Sequence, residues 1–429
     1  MLFLSTLLPL AIAAASLAEA STHLPARALQ HARRADCVQP YGRCGGEGYS
    51  GSTCRTDDWT CVEQNSWYSQ CVQGGAGSDE SPKTTTSSSK AAASSVIATS
   101  AIASTTSSSA RPPANTDGAV ALPVVPSDGP VGFASLNGGT TGGAGGTKTT
   151  VSDLESLRAA VKGEGAAIVF IDGIIKGDGD TVDVGGNTSI LPANGGGKDG
   201  LTGSGFRIKD TSNVIIRGLS LSKSPAPTDL IGIQKATNVW VDHCTFESDL
   251  KAGKDDCKSP PYDGQLDITH AGDFVSVTWN VFTNSWKTSL VGHSEKNGKE
   301  DTGHLRVSYL WNHFYNVNSR LPSLRFGTGH IANNYYQDIH ASGINSREGA
   351  EILVESNYFS NAKNPIETAD YDGYVVVNDD NIYENSGKPD LSGVGSISPA
   401  DLGYDYTLEA AADIPSIVVS GAGAKHYSA

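Results

Sequence analysis

Three stretches, HLRVSYLWNHFYNV (304–317), HIANNYYQDI (330–339) and EILVESNYFSNA (351–362), align with one another on Asn312, Asn334 and Asn357. The intervals are 22 and 23 residues, the length of one turn of a solenoid. Working towards the N-terminus, DFVSVTWNVFTNS (273–285) carries Asn280 at the same place, and NVWVDHCTFES (238–248) carries Asp242-His243 at or beside it. Asparagines recurring once per turn can stack as a ladder in which the amides satisfy one another. The pattern predicts an all-β chain wound as a right-handed parallel β-helix. A β-sandwich would alternate apolar and polar residues more strictly and has no use for the asparagine register.

Further strand-like runs, AIVFIDGIIKG, FRIKD and NVIIRGLSLS, extend the solenoid on its N-terminal side. Ahead of them, Ser152-x-x-Glu155 reads as a capping box opening the helix VSDLESLRAAV, with Leu154, Leu157 and Val161 on one side. Lys287 follows Asn280 by seven residues and Arg320 follows Asn312 by eight, so the two cations fall on nearly the same face of neighbouring turns. Stacked turns are roughly 4.8 Å apart, which puts both above one groove. The long intervals from His243 to Asn280 and from Asn280 to Asn312 supply loops to wall it, and Cys244 and Cys257 are expected to bridge the first of them.

Asp242, Asp263 and Asp267 are the acidic counterpart. Three carboxylates drawn together repel unless a hard divalent cation sits among them, and Ca²⁺ accepts carboxylate oxygens in flexible geometry. The plainer reading makes Asp263 and Asp267 a solvated turn and Asp242 a strand-end hydrogen bond. His243, His270 and His293 read as packed structural histidines, and Trp240, Trp279 and Trp311 as residues packing on the solenoid.

The 429 residues are 38% apolar, enough for one large core, and 49 glycines with only 18% charged residues favour a turn-rich β architecture. A net charge of −15 argues against nucleic acid or an anionic membrane as partner. Residues 1–20 are an apolar run ending Ala18-Glu19-Ala20, expected to be a signal peptide for secretion. Residues 21–34, ending Arg33-Arg34, read as a removable pro-segment. Of the seven cysteines, those at 37, 44, 54, 61 and 71 crowd into residues 37–72, a segment too short for a core of its own, where disulfides substitute. Residues 73–116 are a Ser, Thr, Ala and Gly linker unable to bury a core. Residues 117–429 form the main domain.

The run YGRCGGEGYSGSTC with CVEQNSWYSQC resembles the fungal-type cellulose-binding module. The resemblance implies a flat face of Tyr41, Trp67 and Tyr68 with Asn65 and Gln70 beside it, stacking on the glucose rings of cellulose. It also implies either Cys44–Cys61 with Cys37–Cys54, leaving Cys71 free, or Cys54–Cys71, leaving Cys37 free. VGFASLNGGTTGG, LTGSGFRI, NVIIRGLSL, VWVDH, YDGQLDITHAGDFVSVTWN, WKTSLVGH and RLPSLRFG together resemble the pectate lyase and pectin lyase family. The resemblance implies cleavage of polygalacturonate by β-elimination in a monomeric extracellular enzyme. Asp242, Asp263 and Asp267 would bind calcium, Lys287 and Arg325 the substrate carboxylate, and Arg320 would remove the proton. Rival readings are a calcium-independent pectin lyase, a hydrolase using paired carboxylates, and a non-catalytic wall-binding solenoid.

Overall fold

The computed structural model describes residues 129–255, 261–368 and 372–427, together with the backbone of three strands nearer the N-terminus. The chain divides into two units, residues 1–110 and 111–429. In the first, Tyr68–Gln73 pairs antiparallel with both Arg43–Gly45 and Trp59–Asn65. Cys61 is disulfide-bonded. Asn65, Tyr68 and Gln70 lie on these strands, as do Cys44 and Cys71, but their side chains lie outside the described residues. So do Tyr41, Trp67, Cys37 and Cys54, the expected signal and pro-segments, and the linker.

The second unit is a parallel β-helix. Its strands form three sheets of eight, ten and nine members, and the pairing within each runs parallel from one turn to the next. One turn reads Leu266–Thr269 in the eight-stranded sheet, Asp273–Thr278 in the ten-stranded sheet and Val281–Thr283 in the nine-stranded sheet. Inward-facing residues pair with their own kind one turn away. Phe246, Phe282, Phe314, Tyr336, Phe359 and Tyr383 stack ring on ring, with centroids 4.7, 4.9, 5.0, 4.5 and 5.1 Å apart. Val241, Val277, Tyr309, Ile331 and Val354 fill the adjoining column, fully buried. Each such side chain contributes about 1.5–3 kcal/mol relative to exposure.

The asparagine register is a ladder in fact. It lies at the corner between the ten- and nine-stranded sheets, where Asn280 accepts from the backbone N–H of Cys244 at 2.8 Å. Asn312, Asn334, Asn357 and Asn381 each accept from the backbone N–H and the amide of the asparagine before, at 2.9–3.1 Å. The residue just ahead of each rung from Asn280 to Asn357 takes the left-handed conformation, as at Trp279 (φ 53°) and Trp311 (φ 55°). That turns the chain sharply while the side-chain amides replace the interrupted backbone pairing. Trp279 and Trp311 stack outside the corner at 5.5 Å, beneath the C-terminal helix Ile414–Gly421.

Two expectations are corrected. The helix expected in VSDLESLRAAV is Leu154–Val161, and its cap is Asp153, whose carboxylate accepts from Ser156 N–H at 2.9 Å. Ser152 lies one residue too early to reach. Cys244 is a free thiol rather than half of a bridge to Cys257, which lies outside the described residues. It points into the core with no exposed surface, and burial pushes its thiol up to about 12.

Candidate active site

The eight-stranded sheet and the segments entering it gather most of the charged residues singled out above. Asp267 stands on strand Leu266–Thr269 beside Gly232 of the preceding turn, and its Oδ1 accepts from Leu290 N–H at 3.0 Å. Asp229, just ahead of strand Ile231–Gln234, accepts from Gly264 N–H at 2.9 Å. Gly264 is required there, because a Cβ would come within 2.4 Å of Asp267 Oδ1 and 2.9 Å of Asp229 Oδ1. Asp263 is next along the chain, and its Oδ1 lies 3.5 Å from Lys287 Nζ.

Asp229, Asp263 and Asp267 are therefore neighbours, with more negative charge than their surroundings neutralise. Burial, with the charges of Asp267 and Asp263 beside it, pushes the Asp229 carboxyl up to about 9. Burial pushes Asp267 up to about 6, although Arg320 and the Leu290 N–H oppose the rise. Such a set of half-buried oxygen donors, crowded around a glycine with no room for a side chain, fits a hard divalent cation. Among the described residues, no three acidic, His or Cys side chains are already closed around one point.

Arg320 is half-buried and left-handed (φ 66°), with its carbonyl accepting from Ser289 N–H at 2.9 Å. That bond fixes its backbone above the turn carrying Asp267 and Lys287. Its guanidinium makes no hydrogen bond or salt bridge among the described residues, yet its charge acts on both Asp229 and Asp267. Arg325 ends strand Ser323–Arg325 and donates from Nη1 to the Gly292 carbonyl at 2.8 Å. Burial, then the neighbouring Arg347 charge, lowers its proton affinity.

Asp242 does not belong to this group. It ends strand Thr237–Asp242 of the ten-stranded sheet, buried, where its carboxylate meets Arg217 Nε at 2.8 Å, His243 Nδ1 at 2.6 Å and the Thr278 hydroxyl at 2.5 Å. Both of its oxygens are already engaged by these three partners, and its strand belongs to a different sheet. The carboxylate that lies beside Asp263 and Asp267 is Asp229. Of the histidines, His243 is packed as expected, whereas His293 is exposed and stacks on half-exposed His270 at 4.2 Å. Trp240, Trp279 and Trp311 are buried against the solenoid. Arg347, Cα partner of Arg325, was also missed. Counting one turn of 22 residues on from Arg325 would have found it.

Residues 120–427 match the profile of the pectate lyase family. The chain belongs to that family. Pectate lyase A of Aspergillus niger is 45% identical over 301 residues, 69% of this chain and 88% of that protein. Probable pectate lyase B of Aspergillus flavus is 42% identical over 301 residues, with coverage of 69% and 88%. Among solved structures, a Bacillus sp. N165 pectate lyase in complex with trigalacturonate superposes with a TM-score of 0.62 at 30% identity, covering 69% of this chain and 99% of that one. Pectate lyase II of Xanthomonas campestris gives 0.59 at 28% identity, covering 70% and 99%. Residues 40–68 match the fungal cellulose binding domain. The protein is thus a pectate lyase with an appended cellulose-binding module, and its fold is the β-helix of those lyases.

Proposed function

We propose that this pectate lyase is a secreted, monomeric, calcium-dependent enzyme that cleaves polygalacturonate by β-elimination to unsaturated oligogalacturonides. The observation that carries the reading is Arg320, its guanidinium unpaired among the described residues and its backbone fixed by Ser289 above the turn that carries Asp267, near enough for its charge to oppose the rise at Asp229 and Asp267. Asp229, Asp263 and Asp267 would hold calcium, which when bound supplies positive charge for a substrate carboxylate. The apolar leader at residues 1–20 supports secretion, and the module supports retention on cellulose near pectin in plant cell walls.

Removing the C5 proton of a uronate is difficult because the adjacent carboxylate disfavours the developing carbanion. Lys287 and Arg325 hold that carboxylate and offset its charge. Arg320 takes the C5 proton. The electron pair then forms the C4–C5 double bond as the C4–O bond breaks, and the leaving oxygen takes a proton from solvent water and departs as the hydroxyl of the released chain. A guanidinium is a poor base because it is normally protonated, so the reaction favours alkaline pH.

The deciding measurement is ultraviolet absorbance of unsaturated product from polygalacturonate, with Ca²⁺ or with a chelator. A signal that requires Ca²⁺ supports the reading. Chelator-resistant product that increases on methylated pectin would make it a pectin lyase, and no unsaturated product at all would remove elimination. Arg320→Lys is expected to fold and bind Ca²⁺ while losing a factor on the order of 10²–10⁴ in kcat; substantial residual turnover would take Arg320 out of the role.

A further inference from the structure

Arg325 and Arg347 stand on neighbouring strands as direct Cα partners. Their side chains leave the same face of the eight-stranded sheet one turn apart, roughly 4.8 Å along the solenoid. Both are well covered, with side-chain exposures of 9% and 20%. Two guanidinium groups so placed repel unless an anion lies between them. Glu295 is the carboxylate that reaches both of them, with Oε1 3.1 Å from Arg347 Nη2 and 3.8 Å from Arg325 Nη2. Glu295 is unlike the residues it joins. It is 57% exposed and sits on a single turn of 3-10 helix, Glu295–Asn297, in the excursion 292–305 that leaves the sheet after Val291. A weakly held carboxylate of the protein itself thus reaches, from the solvent side, the space between two firmly seated cations.

We propose that Glu295 is a placeholder for a galacturonate carboxylate, occupying the seat between Arg325 and Arg347 in the free enzyme and displaced when the polymer binds. The inference rests on the reading of Arg325 as a substrate-binding residue and deepens it. It assigns to this seat a second uronate carboxylate in the bound chain, one turn along the groove, and it names the group that must leave. An exposed ion pair is cheap to break, so the swap holds the arginines in place between turnovers without closing the groove to substrate.

The test is Glu295→Gln, which keeps the shape and removes the charge, assayed on polygalacturonate with Ca²⁺ across a range of salt. Loss of the competing carboxylate should lower KM about threefold to fivefold, the worth of an exposed ion pair, with kcat within about twofold. The dependence of KM on salt should steepen, because one more cation is available to the substrate. An unchanged or raised KM would overturn the proposal and make Glu295 a support for the arginines. Calorimetric titration of trigalacturonate into both proteins separates this from the catalytic reading. Tighter binding to E295Q supports the placeholder even where the wild type forms no unsaturated product, and equal or weaker binding overturns it.

Discussion

Asparagine substitution at two aspartates should separate a metal ligand from a structural support. Asp229→Asn removes one charge from the acidic trio and should raise the Ca²⁺ concentration for half-maximal activity by on the order of tenfold, with little change in Tm. Asp242→Asn should leave that calcium midpoint unchanged. It strands Arg217, which is 17% exposed and held by the Asp242 carboxylate, so it should cost about 3–5 kcal/mol in denaturant unfolding. Glu300 gives a pH test. Asn297, then His270, hold its carboxyl down at about 2, below its ordinary value of 4.5. A depressed folded-state value means the stabilisation is present above pH 4.5 and is lost as pH falls from there towards 2. Glu300→Gln should flatten the pH profile of Tm over that window; an identical profile would show that other carboxylates govern it.

Among elements, the asparagine ladder makes the strongest claim on stability. Asn312→Ala would leave the buried backbone N–H of Asn280 and the carbonyl of Val277 without the partners they now have at 3.0 and 2.8 Å. A buried polar group left unpaired costs about 1–3 kcal/mol, so urea unfolding should show a loss of at least that size. The ladder was legible in the sequence because each rung must repeat one residue type at one interval. Lys287 and Arg320 were legible for the same reason, since both keep a fixed offset from a rung. Asp229 keeps no such offset. It lies in a segment entering the sheet, and only the packing of Gly264 between it and Asp267 makes it a neighbour of the site. That Asp242 lies apart from Asp263 and Asp267 was not legible, because an acidic residue at a strand end looks the same whether it faces a groove or a buried arginine. The helix cap was displaced by one residue because Ser152 and Asp153 are both good caps, and only the path of the backbone selects between them.

For the whole molecule, the two units should be separable in function. Deleting residues 37–72 should abolish retention on crystalline cellulose and leave kcat on soluble polygalacturonate unchanged, checked by a pull-down alongside the absorbance assay. Retention that survives the deletion would assign cellulose binding elsewhere.

The three corners of the solenoid differ in how much length they permit. Along the ladder as far as Asn357, the link between the ten- and nine-stranded sheets is a residue pair, His243-Cys244, Trp279-Asn280, Trp311-Asn312, Asn333-Asn334 or Ser356-Asn357, and only at the last rung, Asn381, does it lengthen, to residues 378–381. The links on either side of the eight-stranded sheet range from Phe326-Gly327 to the excursion 292–305, and from residues 363–365 to 248–265. An insertion at the ladder corner breaks the pairing of the turns above and below, whereas one beside the eight-stranded sheet breaks nothing. Length is therefore added most freely at the two margins of the eight-stranded sheet, so that this scaffold can change what borders the candidate site without disturbing the ladder that keeps its turns in register.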